Sequence, residues 1–246
     1  MKILALDTTT RFLCLGLYDK DKACGLHLET GVKLSRVLAL TVKRAIESLG
    51  WRFRDIDYFA SGLGPGSFTG VRIGLAAIKG FAWALNRPVV GISTLDILAG
   101  NALTSIKSRS NAGFVAPIVD AKRNLVYTCI YKITRAGLQR ITGYMLLGKN
   151  DFLLRIKKHC GKRANIIMLG DGLQVYGQDI SRGIAGAVLL DKDYWYPRPE
   201  NIIRLAQERI KKKDFSSPYK IKPIYLYPKE CQIKLKVKTQ KSKVNA

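Results

Sequence analysis

A glycine-rich block, Gly64-Pro65-Gly66-Ser67-Phe68-Thr69-Gly70, is the segment of this sequence most able to do chemistry. Two glycines around a proline allow a tight turn, and the hydroxyls of the block stand as caps at the start of a predicted helix. Backbone amides at a helix N-terminus bind anions, so the block predicts a phosphate site. That site would use Gly64, Gly66, Ser67 and Thr69. Because the block lacks the Gly-Lys-Ser/Thr ending of a P-loop, local chemistry favours the alternative, a strand-to-helix turn shaped for packing.

The helix predicted after this block, Thr69 to Leu85, carries apolar or small residues on nearly every side. Such a helix is buried, either in the core of its own domain or in an interface. Gly70 and Gly74 fall on one stripe, which lets another backbone approach closely. The preceding predicted helix, capped by Ser35 and ending at Leu49, is also apolar on two sides, so the pair predicts a docking surface. We assign to this surface Ser35, Leu38, Val42, Ala45, Leu49, Gly70, Gly74, Ala77, Ile78 and Phe81.

Residues that would indicate metal binding or nucleophilic catalysis are sparse. His27 and His159 lie far apart, and neither belongs to a His-x-x-x-His pair, which would place two imidazoles one helical turn apart on one ion. No Gly-x-Ser-x-Gly elbow occurs. The five cysteines form no Cys-x-x-Cys pair, which is typical of reduced, packed thiols. We therefore expect no metal, no cofactor and no catalytic residue of this chain's own.

The elements needed to position these residues follow from apolar periodicity. Three strand-like runs come first, and two helices and two strands then alternate before a third helix capped by Ser93-Thr94. This order predicts a mixed α/β sheet. The predicted strands are Lys2 to Thr10, Phe12 to Tyr18, Ala23 to Glu29, Asp57 to Gly62 and Pro88 to Ser93.

A similar pattern restarts near Phe114. The stretch Val119-Asp120-Ala121-Lys122-Arg123, followed by a strand-like run, echoes Leu6-Asp7-Thr8-Thr9-Thr10, with Asp120 in the place of Asp7. We interpret this as a degenerate internal duplication, although so short a match can also arise by chance. The predicted organisation is an N-terminal subdomain (1–105), a degenerate C-terminal subdomain (106–228) and a lysine-rich mobile tail (229–246). The second subdomain is predicted to contain a hairpin (127–147), a helix (151–158), a strand (166–169) and an amphipathic helix (200–213).

Charge is the outlier of the composition, at +24. Residues 1–110 have a balance of +7 and residues 111–246 a balance of +17, so the second half is expected to attract polyanions such as nucleic acid. A lysine-rich surface that only confers solubility is the alternative. No apolar run approaches the roughly 18 residues that span a bilayer. We expect a cytoplasmic protein with no membrane partner.

Taken together, the motifs resemble the TsaB (YeaZ) family, in order and at family spacing. The likeness covers nearly the whole chain except the lysine tail, and the glycine-rich block is its most specific part. The segments that carry it are Asp7 to Thr10, Gly64 to Gly74, Gly91 to Leu95, Val119 to Arg123 with Val126-Tyr127, Pro197-Arg198, and Pro223 to Leu226.

The resemblance implies an actin-like ATPase (ASKHA, ribonuclease H-like) fold with two similar subdomains, the second degenerate. It further implies a non-catalytic scaffold in the complex that forms N6-threonylcarbamoyladenosine beside the anticodon of tRNAs reading codons that begin with A. The implied partners are a TsaD-like catalytic subunit, a TsaE-like ATPase, a second copy of the chain when TsaD is absent, and tRNA through the complex. ATP or ADP is implied only at the partner interface.

Within that fold, Asp7 and Thr8 are candidates for a remnant of the phosphate and metal site. The counterpart turn, Asp120 to Arg123, has no glycine to admit phosphate and carries two bulky cations, so we interpret the site as lapsed. Two positions depart from the family pattern. Leu34 stands where the family commonly has His, and Tyr227 where it has Arg.

Two other functions remain open. The chain would be an ASKHA ATPase or kinase, or a glycoprotease-like metal-dependent peptidase, if the purified protein alone turned over ATP or cut peptides. A nucleic-acid-binding module is suggested by charge, but no recognised RNA-binding motif supports it.

The docking hypothesis makes Gly74 its critical residue. If Gly74 lies at a helix crossing between subunits, Gly74→Arg strands a charge in the interface and abolishes both partner binding and dimerisation. If Gly74 is buried within the chain, the same change unfolds the protein.

The tail predicts a salt-sensitive, weakly specific grip on tRNA, because lysines that contact phosphates release counterions. Residues 229–246 contain six lysines. Deleting residues 230–246 should flatten the dependence of tRNA affinity on salt, measured by titration at several ionic strengths. An unchanged salt dependence in the truncated protein would show that the tail has no such role.

Overall fold

The structure, a computed structural model, describes residues 1–20, 22–30, 34–105, 113–161 and 165–228. The first half forms one sheet of strand order β3-β2-β1-β4-β5, in which β1, β2 and β3 are antiparallel and β4 and β5 run parallel to β1. Its elements are β1 (Lys2–Asp7), β2 (Phe12–Asp19), β3 (Lys22–Glu29), α1 (Leu34–Ser48), β4 (Tyr58–Gly62), α2 (Phe68–Ala84), β5 (Val89–Ile92) and α3 (Thr94–Ser105).

The second half forms a sheet whose main path is β10-β7-β6-β11-β12, with the β8–β9 hairpin attached beside β6. Its elements are β6 (Phe114–Lys122), β7 (Leu125–Thr128), β8 (Tyr131–Thr134), β9 (Gly137–Arg140), β10 (Met145–Gly148), α4 (Lys149–Cys160), β11 (Ile166–Leu169), α5 (Leu173–Gly183), β12 (Ala187–Leu189) and α6 (Pro199–Lys211).

The two sheets repeat one topology. Strands β6, β7, β10, β11 and β12 occupy the places of β1, β2, β3, β4 and β5, with the same parallel and antiparallel pairings. Helices α4, α5 and α6 follow the same strands as α1, α2 and α3. The predicted fold class, an actin-like α/β fold of two similar subdomains, is therefore confirmed. The second copy is the more altered, because the β8–β9 hairpin is inserted between β7 and β10.

The third helix of each half packs across the division. Leu95 and Leu98 of α3 lie in a core with the second sheet, whereas Ile202 and Ile203 of α6 lie in a core with β1, β4 and β5. Where α3 and α6 meet, the buried Asn201 amide donates to the Asn101 side-chain oxygen at 2.7 Å. The predicted boundary after residue 105 thus separates the two repeats along the chain. In space, however, α3 packs on the sheet of the second repeat and α6 on the sheet of the first.

Several element predictions need correction. Helix α1 begins at Leu34, so Ser35 lies inside its first turn and is not its N-cap. The predicted hairpin over residues 127–147 is four short strands, and α5 and β12 were not predicted. Residues 106–112 at the predicted boundary and residues 229–246 of the predicted tail lie outside the described residues. No helix among the described residues is long and apolar enough to cross a membrane.

Candidate functional site

The glycine-rich block forms the turn between β4 and α2 and packs against the turn that follows β1. Ser67 caps α2, as predicted, with its hydroxyl accepting from the Gly70 amide at 3.2 Å. The Ser67 amide donates to the Thr9 carbonyl at 2.7 Å, and the Thr8 hydroxyl donates to the Gly70 carbonyl at 2.8 Å. The two turns are therefore joined directly, without space for a ligand between them at these atoms.

Gly70 and Gly74 make this contact sterically possible. A Cβ on Gly70 would overlap the Thr8 carbonyl oxygen, and a Cβ on Gly74 would overlap the Thr8 hydroxyl. The close approach that the glycine stripe predicted therefore exists. It joins α2 to the β1 turn of the same chain.

Asp7 is buried and its carboxylate is satisfied within the protein. One oxygen accepts from the Thr9 amide at 2.8 Å and the Thr9 hydroxyl at 2.7 Å, and the other accepts from the Thr94 hydroxyl at 2.7 Å. Burial raises the pKa of the Asp7 carboxyl above its usual range, while the hydrogen bonds from Thr9 and Thr94 act in the opposite direction. A metal or phosphate would have to displace these bonds.

A cleft of about 560 Å³ lies between the two subdomains, next to these turns. Its first wall includes Thr9 to Arg11 and Gly66 to Phe68. Its second wall includes Val119 to Arg123 and Asp171. The Asp171 carboxylate accepts from the Asp120 amide at 3.0 Å, and burial is the main cause that raises the pKa of Asp171.

The turn of the second wall has an unusual backbone conformation. Lys122, Arg123 and Asn124 all have left-handed backbone conformations, with φ of 62°, 54° and 60°. The turn reaches this conformation without glycine, and Lys122 and Arg123 line the cleft. Lys122 pairs with Asp120 and is largely exposed.

The end of the described chain forms one side of the cleft and connects its walls. The Ile224 amide donates to the Leu63 carbonyl at 2.8 Å, and the Tyr225 ring packs on Phe68 of the first subdomain. The Tyr227 hydroxyl then donates to the Ala121 carbonyl of the second subdomain at 2.7 Å. Tyr227, at the position where the family commonly has Arg, is thus a cleft residue.

The structure brings most of the predicted phosphate-site residues together. Asp7, Thr8, Gly64, Gly66 and Ser67 lie on the two joined turns, whereas the exposed Thr69 lies in the first turn of α2. The Gly64 carbonyl accepts from the Thr94 amide at 2.9 Å, which ties the block to α3 as well. Binding of phosphate by these residues stays a prediction.

Half of the predicted docking residues face inward and need correction. Leu38, Val42, Gly70, Gly74 and Ile78 are buried within the chain. Ala45, Ala77 and Phe81 are partly buried and pack against the same core, while Ser35 and Leu49 are exposed. The predicted stripe is the face by which α1 and α2 cover their own sheet, because both helices need one apolar side for that purpose.

The outward faces of α1 and α2 expose a few apolar side chains among charged ones, since Arg36, Lys43, Arg44 and Glu47 of α1 and Arg72 of α2 are also exposed. Trp83 is 64% exposed, Leu40 is 50% exposed and Phe68 is 46% exposed. Leu40 belongs to the second apolar side that the sequence indicated for the first helix, and Trp83 to the apolar residues that it indicated all round the second. Docking of a partner on this helix pair stays a prediction.

Sequence reasoning missed two residues of the site. Thr94 was predicted as a helix cap and also bonds Asp7, although 87 positions separate the two. Asp171 received no role. A signal was present, because Gly170-Asp171-Gly172 after β11 repeats the Gly62-Leu63-Gly64 spacing after β4.

The histidines give no metal site. His27 stacks on Phe12 in the first sheet, with ring centroids 4.4 Å apart, and His159 lies near the end of α4 in the second subdomain. Within the described ranges, no group of three His, Cys, Asp or Glu side chains is placed to hold a metal ion.

The repeated sheets and the internally bonded cleft turns define a two-subdomain protein of the actin-like fold. A family profile described as "TsaD: tRNA N6-adenosine threonylcarbamoyltransferase" matches residues 30–229. The chain belongs to this family, and its predicted resemblance to the TsaB (YeaZ) proteins is confirmed by individual relatives.

The tRNA threonylcarbamoyladenosine biosynthesis protein TsaB of Bacillus subtilis (strain 168) is 28% identical, and the match covers 95% of this chain and 97% of that protein. TsaB of Escherichia coli (strain K12) is also 28% identical, with coverage of 92% and 94%. The solved structure of YeaZ from Pseudomonas aeruginosa superimposes with a TM-score of 0.77 at 26% identity, covering 92% of this chain and 99% of that one.

Two glycines of α2 give a matched test of the close contact. Gly74→Ala should destabilise the protein by about 1–3 kcal/mol, because the new methyl group overlaps Thr8. Gly80→Ala in the same helix meets no atom within 4 Å and should be neutral or stabilise by up to about 1 kcal/mol. Urea unfolding measures both changes, and Gly74→Arg should fail to fold. Equal stability of the two alanine variants would contradict the contact.

Proposed function

We propose that this chain is a non-catalytic subunit of the cytoplasmic machinery that forms N6-threonylcarbamoyladenosine in tRNAs reading codons that begin with A. It supports a TsaD-like catalytic subunit. The observation that carries this proposal is the carboxylate of Asp7, whose two oxygens are occupied by Thr9 and Thr94. The family profile is named for a transferase, but the residues of this chain argue against catalysis by the chain itself.

A working actin-like site needs a free carboxylate and two turns whose backbones can approach phosphate. Here the first turn is closed by the Thr8 and Ser67 hydrogen bonds, and the second presents Lys122 and Arg123. The names of the relatives, which refer to threonylcarbamoyladenosine biosynthesis, supply the pathway.

The support that this chain gives would come from its surfaces. Leu40, Phe68 and Trp83, the large apolar side chains that α1 and α2 expose, would contact a TsaD-like subunit, and a second copy of the chain would cover them when TsaD is absent. We place any ATP or ADP at the interface with that partner and none in this chain's own cleft. A TsaE-like ATPase would complete the complex.

The outward face gives a test of partner docking. Trp83→Ser should weaken binding of a TsaD-like subunit by about 2 kcal/mol or more, because exposed tryptophans in interfaces are frequent hot spots. Its thermal melt should stay unchanged. Leu154→Ser, at an equally exposed apolar residue on α4, is the control and should leave binding intact. Calorimetric titration measures both, and equal affinities of the two variants would remove Trp83 from the interface.

Reconstitution tests the proposed function itself. A TsaD-like subunit with its remaining partners should form N6-threonylcarbamoyladenosine in a tRNA transcript only when this chain is added, as measured by mass spectrometry of nucleosides. Asp120→Asn and Asp171→Asn should support the same yield, because a supporting subunit needs no acid in its own cleft. The purified chain alone should neither hydrolyse ATP nor cleave peptides.

The enzyme alternatives would show themselves in the same experiment. ATP hydrolysis by the chain alone that disappears in Asp7→Asn would establish an ASKHA ATPase. Metal-dependent peptide cleavage would establish a peptidase. Either result, or full product yield without this chain, would overturn the proposal.

A further inference from the structure

A dense set of exposed cations lies on the segment that ends α6 and follows it. The five cations are Lys211, Lys212, Lys213, Lys220 and Lys222, and all are exposed. Asp214, the one acidic residue among them, pairs with Arg209 at 3.5 Å. None of the ion pairs found in the described ranges involves any of these five lysines. Their charge is therefore not neutralised locally.

Two aromatic side chains are interleaved with these lysines. Tyr219 is 72% exposed, and Phe215 is partly exposed with its ring edge-on to Tyr58 at 5.5 Å. Packing against the core of the chain does not explain why a tyrosine stands at position 219, because most of its side chain is exposed. A tyrosine at this exposure between lysines offers a ring face to an external partner.

The segment is fixed in place by backbone bonds. Two backbone hydrogen bonds, of 2.8 and 2.9 Å, join Ser216 to Val89 of the edge strand β5. The backbone amide of Lys220 donates to the Ser217 carbonyl at 3.1 Å. Ile221 is buried in the core of the first subdomain. Binding by such a segment loses little backbone entropy, because its backbone is already held.

Helix electrostatics explain part of this pattern. Lysines at the end of α6 stabilise its C-terminal carbonyls. That effect decays within the last turn, so it does not explain Lys220, Lys222 or the exposed Tyr219 beyond the helix.

We propose that the surface formed by residues 211–222 binds RNA, with its lysines on backbone phosphates and the Tyr219 ring stacked on an unpaired base. Phosphate contacts need exposed cations without partners, and unpaired bases need exposed aromatic faces. This segment supplies both. The identity of the RNA as tRNA rests on the proposed function.

Two triple variants of the full chain test whether tRNA binding depends on the lysines at the end of α6 or on overall charge. The first combines Lys211→Gln, Lys212→Gln and Lys213→Gln. The control combines Arg155→Gln, Lys157→Gln and Lys158→Gln, which removes the same charge from exposed residues at the end of α4. The first variant should lower affinity for a tRNA transcript at least about tenfold at low salt and reduce the salt slope by about two to three units. The control should change both far less.

Stacking is tested separately with Tyr219. Tyr219→Ala should weaken binding of the transcript about fivefold or more without changing the salt slope, and Tyr219→Phe should bind as the parent does. Because Tyr219 is exposed, this pair also decides the matter if the lysine triple variant fails to fold, which circular dichroism melts reveal.

Three results would overturn the proposal. Equal losses in both triple variants would assign tRNA binding to overall charge. Unchanged tRNA affinity of the first triple variant, with lost binding of a TsaD-like subunit, would assign the surface to an acidic protein partner. Full tRNA affinity of Tyr219→Ala would exclude stacking. Failure of the proposed function is distinguishable, because it appears as no product in reconstitution with the parent chain, whatever its affinity for RNA.

Discussion

The contact between Thr8 and the glycine stripe of α2 is the constraint on which the rest of the first subdomain depends. The Thr8 hydroxyl can reach the Gly70 carbonyl only because neither Gly70 nor Gly74 carries a Cβ. This close packing holds the turn after β1 against the start of α2, where Ser67 bonds Thr9. Asp7, one residue earlier, is then enclosed and bonded by Thr9 and Thr94. A single packing requirement thus holds the turn after β1 and the glycine-rich block together.

The two halves of the duplicated fold form the cleft together, and they differ at the turns that line it. Both halves place an acidic residue at the end of their first strand, Asp7 in β1 and Asp120 in β6. In the first half the turn is packed shut, and in the second the turn is occupied by cationic side chains in left-handed conformations. The two turns therefore differ in conformation and in side chains, while the sheets that support them kept one topology.

The proposed supporting role would be exercised through the outer surfaces of the chain. Two surfaces differ in chemistry and in position. The outward faces of α1 and α2 expose Leu40 and Trp83 among charged side chains, which suits the proposed protein partner. The segment after α6 is cationic with an exposed tyrosine, and suits RNA. A supporting subunit that contacts both an enzyme and its tRNA needs two such surfaces.

Local periodicity and short motifs in the sequence predicted the alternating elements, the correspondence between Asp7 and Asp120, the Ser67 cap and the family. The sequence did not decide which side of α2 is buried. A helix that is apolar all round has no single stripe, so only the position of the sheet and of Thr8 shows that Gly74 faces inward. Tertiary structure alone also decided that α3 and α6 exchange sheets, and that Thr94 bonds a carboxylate 87 positions away. Contacts of that kind depend on how the finished layers pack, and no local pattern in the chain specifies the partner.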